Sequence, residues 1–375
     1  MGNSDKECFA KSGPKHLSEV DWGKEEHRRC AIACLVKGTS ILESDRAEGR
    51  QGTPDARAPP WWSSFHLRLR KTLLCDCSCR CVLRQRLGAN QPFIYGAIFE
   101  HVPPESPSST APSPAASPPP PRFIVAFRGT KRSLPAAIHD FRDDLSVILS
   151  KQDTCERFRR AREEVAELLE SNGGSGGGGV WLAGHSLGAS VALHVGRHMM
   201  VHGELNLPTF LFNPPRVSLA AAWLPEYWCL VKSMAKGAAA RTLMRPHDKR
   251  MEALFRRLGP WVPELFVHKD DVICRGYIDY FEGREKMKAE CPVILQPLAQ
   301  SGMKHSFWDM VRNTGGQSAD DDNEEQRVQQ HLLPSARLWK NSTETGGLCH
   351  AHKLKHWWKP DEELDLSHKR YKYEA

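Results

Sequence analysis

The sequence predicts an α/β fold, in which a mainly parallel central sheet carries helices on both of its faces. Two observations predict it. Short apolar segments typical of buried strands alternate along the chain with longer segments of helical period. Several strand segments end in polar residues, as expected at the carboxyl edge of a parallel sheet, where such proteins bind ligands. Because the segments form one series, we expect one domain at residues 21–360, a flexible N-terminus at 1–20 and a C-terminal tail at 361–375.

The first elements precede a proline-rich segment. Residues 21–45 have helical period, residues 65–74 form an amphipathic stretch, and residues 93–100 have the β-branched and aromatic side chains of a strand. Residues 102–121 hold almost only proline, serine and alanine and therefore cannot bury a core. We expect them to form a disordered loop between two strands.

The next elements alternate between helix and strand. Residues 153–170 have the apolar face of an amphipathic helix. Three short apolar runs, at 123–127, 209–212 and 264–268, are predicted as buried strands. The polar and acidic residues 313–330 are predicted to form a surface loop before the chain returns to the sheet.

The segment 220–258, before the strand at 264–268, is predicted as a helical, cap-like insertion. It mixes apolar residues with lysine and arginine, a pattern typical of a basic amphipathic helix. In the simpler interpretation its basic face is only solvated. In the other, the helix contacts an anionic membrane surface.

Charge and hydropathy restrict the class of protein. The net charge of +7 comes from basic residues interleaved with acids, so we expect no nucleic-acid partner. The sequence has no apolar signal segment after Met1 and no run of about 18 apolar residues. We therefore expect an intracellular, cytoplasmic protein, and its oligomeric state stays open.

Four of the 12 cysteines alternate along one short run, at Cys75, Cys77, Cys79 and Cys81. Alternation places all four on one face of an extended strand, whereas zinc sites take their ligands from Cys-x2-Cys turns. A metal site is therefore not favoured here, and a redox or metal role for these thiols stays open.

Ser186 is the candidate nucleophile. It lies in the pentapeptide Gly184-His185-Ser186-Leu187-Gly188, directly behind a short apolar strand, which is the context of a nucleophile elbow. The tight turn requires residues without bulk two positions before and after the serine, and Gly184 and Gly188 meet that requirement. The alternative is an ordinary glycine-bracketed turn with an exposed serine.

A serine nucleophile needs a histidine to accept its proton and a carboxylate to orient that histidine. With this elbow, the order along the chain is serine, acid, histidine. Asp270 and Asp271 lie just past the strand at 264–268 and suit the acid. Order alone does not choose the base, since histidines follow at His305, His331, His350, His352, His356 and His368.

Four motifs together resemble the class three, or fungal-lipase-like, family of α/β-hydrolases. They are Phe127-Arg-Gly-Thr130, Gly184-His-Ser-Leu-Gly188, Asn213-Pro-Pro-Arg-Val217 and His268-Lys-Asp-Asp-Val272. More narrowly, the chain is similar to the plant branch of this family over residues 20–360. That branch is often labelled GDSL esterase/lipase, although no Gly-Asp-Ser-Leu motif occurs here. The resemblance implies an α/β-hydrolase fold.

The resemblance also implies roles for individual residues around Ser186. The family's oxyanion hole matches Thr130 and the backbone N–H of Leu187. Each such donor typically contributes about 10²–10³ in rate, because it stabilises the charge of the tetrahedral intermediate. No metal or organic cofactor is implied.

The acid and the base are chosen by the same resemblance. The family's acid matches Asp271, and Asp270 is the alternative. The family's histidine lies shortly before an aromatic pair near the C-terminus, which matches His352 ahead of a Trp-Trp pair. His350 and His356 stay as alternatives for the base.

The resemblance implies a serine esterase or lipase that acts on lipid or small acyl esters through an acyl-enzyme. Two alternatives stay open. The same fold serves as a catalytically silent scaffold in protein interaction or signalling, or the same residues transfer the acyl group to an acceptor other than water. The acyl length and headgroup are not predicted.

Overall fold

The computed structural model describes ten segments of the chain, residues 14, 16–17, 19–58, 61–75, 92–103, 119–129, 155–172, 179–216, 245–290 and 333–373. Within them, one eight-stranded sheet lies between two layers of helices. The α/β prediction is confirmed.

The strands follow one another in the sheet in the same order as in the sequence. The five central strands, β3 to β7, pair in parallel, and the outer strands pair antiparallel at both edges. The prediction of a mainly parallel sheet is therefore confirmed. The strands are β1 Leu67–Cys75, β2 Phe93–His101, β3 Phe123–Phe127, β4 Val180–His185, β5 Thr209–Phe212, β6 Glu264–His268, β7 Ala336–Asn341 and β8 Leu366–Tyr371.

The described helices are unevenly divided between the two faces. They are α1 Glu25–Ala47, α2 Glu156–Ser171, α3 Leu187–Gly203, α4 Arg245–Leu258, α5 Gly276–Glu290 and the short α6 Leu348–Ala351. Because parallel crossovers are right-handed and the strand order advances in one direction, the crossover helices fall on the same face. Accordingly α2, α3, α4 and α5 share one core cluster, and α1 lies in the other.

The second face is covered by α1 and by a short turn near the C-terminus, Leu354–Trp357. Ile32 and Leu35 of α1 are fully buried, and so are Phe212 of the sheet and Trp357 of the turn. Each such side chain contributes about 1.5–3 kcal/mol when it leaves water. The helix predicted at residues 21–45 is thus a central part of the core.

Residues 361–375, expected as a C-terminal tail, include β8, so that expectation was wrong for part of the segment. β8 pairs with β7 from Tyr371 opposite Ala336 to Leu366 opposite Asn341. Only Tyr371 of this strand is fully buried, and its middle is exposed and basic, as edge strands often are. The strand was missed because it has almost no apolar alternation.

Several other expected features lie outside the described residues. These are most of the loop at 102–121, all of the loop at 313–330 and the insertion as far as residue 244. None of the helices within the described segments is long and apolar enough to cross a bilayer.

Candidate active site

The site lies where the carboxyl ends of the central strands meet. Ser186 directly follows β4, Asn213 follows β5, and Asp271 comes three residues after the end of β6. Because these strands are parallel neighbours, their carboxyl ends lie side by side at the same end of the sheet. His352 reaches the same edge from the segment after β7, at the C-terminus of α6.

The turn at Ser186 is strained in the way that a nucleophile elbow requires. Its φ of 53° and ψ of −124° lie in a region that residues with a side chain rarely adopt. A Cβ on Gly184 would overlap the backbone of Gly188, and one on Gly188 would overlap the carbonyl group of Phe127. The Ser186 N–H donates to the carbonyl oxygen of Phe212 at 3.0 Å, which ties the elbow to β5.

Leu187 is the first residue of α3, and its N–H lies in the first turn, where helical amides have no partner within the helix. The positive end of the helix dipole is at the same place. Thr130, the other expected oxyanion donor, lies outside the described residues, which end at Gly129 in this segment. At the end of this described segment, the Arg128 guanidinium donates to the Gly129 carbonyl oxygen at 3.0 Å.

Three buried side chains form a continuous hydrogen-bonded chain at this edge. His352 Nε2 lies 2.9 Å from Ser186 Oγ, and His352 Nδ1 lies 2.6 Å from Asp271 Oδ2. Ser186, His352 and Asp271 are 3%, 5% and 1% exposed. An ionised carboxylate only accepts, so Nδ1 carries the proton and Nε2 is free to accept from the serine hydroxyl.

Further donors hold Asp271 in the ionised state. The N–H of Ile273 donates to Oδ1 at 3.0 Å, and the thiol of Cys274 lies 2.9 Å from Oδ2. Burial by itself raises the pKa of Asp271, but the charge of His352 and the hydrogen bonds from His352, Cys274 and Ile273 together hold that pKa below its usual value. The carboxylate is therefore ionised at neutral pH.

His185, a residue of the predicted elbow, also helps to hold the segment that carries His352. Its Nε2–H donates to the carbonyl oxygen of His352 at 2.8 Å. Burial, assisted by the neighbouring charge of His352, lowers the pKa of His185 to about 3, so this ring is neutral and donates as one fixed tautomer.

Asn213 makes a second connection to the segment that carries His352, and the sequence did not predict this contact. Its Nδ2 donates to the carbonyl oxygen of Ala351 at 3.2 Å, and its Oδ1 accepts from Trp357 Nε1 at 3.1 Å. Its φ of 44° is one that asparagine tolerates better than most residues. The available signal was an asparagine at a strand end directly before two prolines.

The alternative acid and bases are partly exposed, exposed or hydrogen-bonded to other groups. The N–H of Asp270 bonds to the ring of His268 at 3.2 Å. His356 Nε2 donates to the carbonyl oxygen of His350 at 2.8 Å, and burial lowers the pKa of His356 to about 4. His350 is exposed. The structure brings Asp271 and His352 to Ser186, and it does not bring these three residues there.

The described part of the helical insertion, α4, turns its apolar side inward. Met251, Phe255 and Leu258 are buried in the same core cluster as α3, whereas Lys249 and Arg250 are exposed. From residue 249 onward, the side chains that α4 exposes are therefore mainly charged.

Cys75 is buried at the end of β1, and Cys77, Cys79 and Cys81 lie outside the described residues. Within the described segments, no group of three or more His, Cys, Asp or Glu side chains is arranged to hold a metal ion.

Comparison with known proteins gives one near full-length relative. The chain is 31% identical over 387 residues to an Arabidopsis thaliana protein named GDSL esterase/lipase At4g10955, and the match covers 98% of this chain and 99% of that protein. No family model and no solved structure matches the chain. The serine in this chain lies in Gly-His-Ser-Leu-Gly, and no Gly-Asp-Ser-Leu sequence occurs.

Proposed function

This chain belongs to the esterase/lipase family of its Arabidopsis thaliana relative, and from that premise we propose that it is a serine hydrolase of carboxylic esters. Ser186 is the nucleophile, His352 the general base and Asp271 the residue that orients the base. The hydrogen-bonded chain from Asp271 Oδ2 through His352 to Ser186 Oγ carries this proposal, because each of its two distances suits proton transfer or orientation.

The proposed reaction has two halves. Ser186 Oγ attacks the ester carbonyl carbon while its proton passes to His352 Nε2, and the resulting tetrahedral intermediate expels the alcohol, which takes that proton. A water molecule then attacks the acyl-enzyme, again losing its proton to Nε2, and Ser186 is released with the carboxylic acid. Asp271 stays ionised throughout and stabilises the imidazolium that forms twice in each cycle.

The oxyanion of each intermediate needs preorganised donors. We propose the N–H of Leu187, since it is unpaired within its helix and lies beside the nucleophile. Thr130 is proposed as the second donor from the family resemblance alone. The strained φ of Ser186 supports the assignment of Leu187, because the elbow places the serine beside the start of α3.

We propose acyl lipids as the substrate class, and the class three, fungal-lipase-like branch as the narrower family. The four motifs named from the sequence support the branch. The choice of acyl lipids rests on this resemblance.

Hydrolysis of a panel of p-nitrophenyl esters of increasing acyl length tests the proposal. We expect turnover by the wild-type protein and a loss of at least about 10³-fold in kcat for Ser186→Ala. Ser190→Ala is the matched control, since Ser190 is equally buried one helical turn further along α3, and it should retain activity.

The same experiment separates the alternatives. A folded wild-type protein without turnover or acyl-enzyme would favour the catalytically silent scaffold. Faster release of p-nitrophenol on addition of an alcohol, with the alcohol's ester as product, would favour acyl transfer.

A further inference from the structure

Cys274 contacts Asp271, the proposed acid, at the same carboxylate oxygen that is hydrogen-bonded to His352. Its Sγ lies 2.9 Å from Asp271 Oδ2, and His352 Nδ1 lies 2.6 Å from that same oxygen. Both Cys274 and Asp271 are buried, at 0% and 1% exposure. The contact is set by the backbone, because the N–H of Cys274 also donates to the carbonyl oxygen of Asp271 at 3.2 Å.

The direction of this hydrogen bond follows from the chemistry of the two groups. Burial raises the pKa of the Cys274 thiol well above its usual value, and the negative charge of Asp271 raises it further. The thiol therefore stays protonated. An ionised carboxylate has no hydrogen to give, so the S–H group is the donor and Oδ2 the acceptor.

We propose that Cys274 is a positioning residue for the hydrolysis proposed above. Its thiol donates a second hydrogen bond to the same Oδ2 that accepts from His352 Nδ1, and this bond restrains rotation of the carboxylate away from the imidazole. With Ile273 N–H on Oδ1, the carboxylate is fixed by one donor on each oxygen besides the histidine. This role rests on the proposed function. The hydrogen bonds to Asp271 are present whether or not the protein is a hydrolase.

A weak donor at this place also tunes the base. Each donor to Oδ2 withdraws negative charge from the oxygen that stabilises the imidazolium of His352. An S–H group withdraws less than an O–H group and more than no donor at all. The basicity of His352 should therefore increase in the order of serine, cysteine and alanine at position 274.

Other charged and titratable groups act on this cluster from three elements. They are His185 at the elbow, His268 at the end of β6 and, through its effect on His185, Lys37 on α1. Burial lowers the pKa of His185 to about 3 and lowers the pKa of His268 as well. All three stay the same in variants at position 274, so a difference between those variants reports on the thiol.

The test compares the pH dependence of kcat/KM for wild type, Cys274→Ala and Cys274→Ser. We expect the acidic limb of Cys274→Ala to move upward by roughly half a pH unit, with about a fivefold loss of kcat/KM on the plateau. In Cys274→Ser the limb should stay at or below the wild-type position. Cys34→Ala removes another fully buried thiol, on α1, and should leave the profile unchanged.

A second readout does not need turnover. The pKa of the His352 ring is followed by NMR in histidine-labelled protein, with its signal identified by its loss in His352→Gln. The order serine, cysteine, alanine in this pKa supports the proposal. Equal shifts in Cys274→Ala and Cys274→Ser would show that only packing matters, and no shift in either would likewise overturn it. Absence of turnover in every protein would contradict the proposed hydrolysis, while the titration would still decide the role of Cys274.

Discussion

Asp271 shows how single residues are prepared for the proposed chemistry. It is almost completely buried, which by itself disfavours a charge, yet donors from Ile273, Cys274 and His352 more than offset that penalty. Asp270, one residue earlier, is partly exposed. Adjacent carboxylates in one turn therefore lie in different surroundings, since one is buried among donors and the other is partly exposed.

Asn substitutions at these two positions separate their roles. Asp271→Asn keeps the shape of the side chain but removes the charge that stabilises the imidazolium, so we expect kcat to fall by roughly 10³–10⁴-fold. Asp270→Asn should change kcat by less than about threefold. Steady-state ester hydrolysis measures both. Equal losses in the two variants, or a larger loss in Asp270→Asn, would contradict the assignment of the acid.

At the scale of single residues, the sequence pointed to candidate residues but not to the contacts between them. Ser186 was evident from its pentapeptide, whereas six histidines downstream fitted the base equally well by order. The contact of Asn213 with Ala351 was not predictable, because only the fold brings these distant segments together. The contact of Cys274 with Asp271 was not predictable either, because it depends on the path of a single turn.

Among the elements, the short buried strands are the most tightly determined by sequence. The bounds of β3, β5 and β6 coincide with the apolar runs at 123–127, 209–212 and 264–268, because each run is short and ends at polar residues, glycine or proline. β8 was missed since an exposed edge strand buries too little to leave an apolar pattern.

Two glycine-to-alanine substitutions should have opposite effects on stability. Gly188→Ala places a methyl group against the carbonyl of Phe127 in β3, so we expect a loss of about 2 kcal/mol or more in the free energy of unfolding. Gly283 lies within α5 with no atom within 4 Å of the added Cβ, so Gly283→Ala should gain about 0.5–1 kcal/mol. Urea unfolding measures both changes. A neutral Gly188→Ala would show that helix and sheet do not meet closely at the elbow.

The whole molecule places its site at one end of a sheet whose two faces are covered differently. Crossover helices cover one face, and α1 with the C-terminal turn covers the other. Arg29 of α1 donates to the carbonyl oxygen of Trp357 at 2.7 Å and so connects α1 to the segment that carries His352. A helix near the N-terminus thereby helps to hold a residue near the C-terminus, a long-range contact that periodicity does not predict.

The charge on the outer side of α4 leads to a prediction about membranes. Since its apolar side chains are in the core, contact with an anionic bilayer would be electrostatic. If that contact occurs, neutralising Arg245, Lys249 and Arg250 together should weaken binding to phosphatidylserine vesicles by roughly a hundredfold at low salt. Vesicle sedimentation at increasing salt concentration measures this.

The matched control for that measurement removes the same charge from another exposed surface, on β1. Arg68, Arg70 and Lys71 are 67%, 43% and 49% exposed there. Equal weakening by the two triple variants would indicate a general charge effect. Binding that is unchanged by the α4 substitutions would leave a helix whose basic face is only solvated.

Activation of Ser186 is tested by reaction with a fluorophosphonate probe, followed by mass spectrometry of the labelled peptide. We expect one adduct, on Ser186, that is lost in Ser186→Ala and in His352→Ala and retained in His356→Ala, whose ring bonds to a backbone carbonyl instead. Folded wild-type protein that stays unlabelled, or a label that persists in His352→Ala at the wild-type rate, would contradict it.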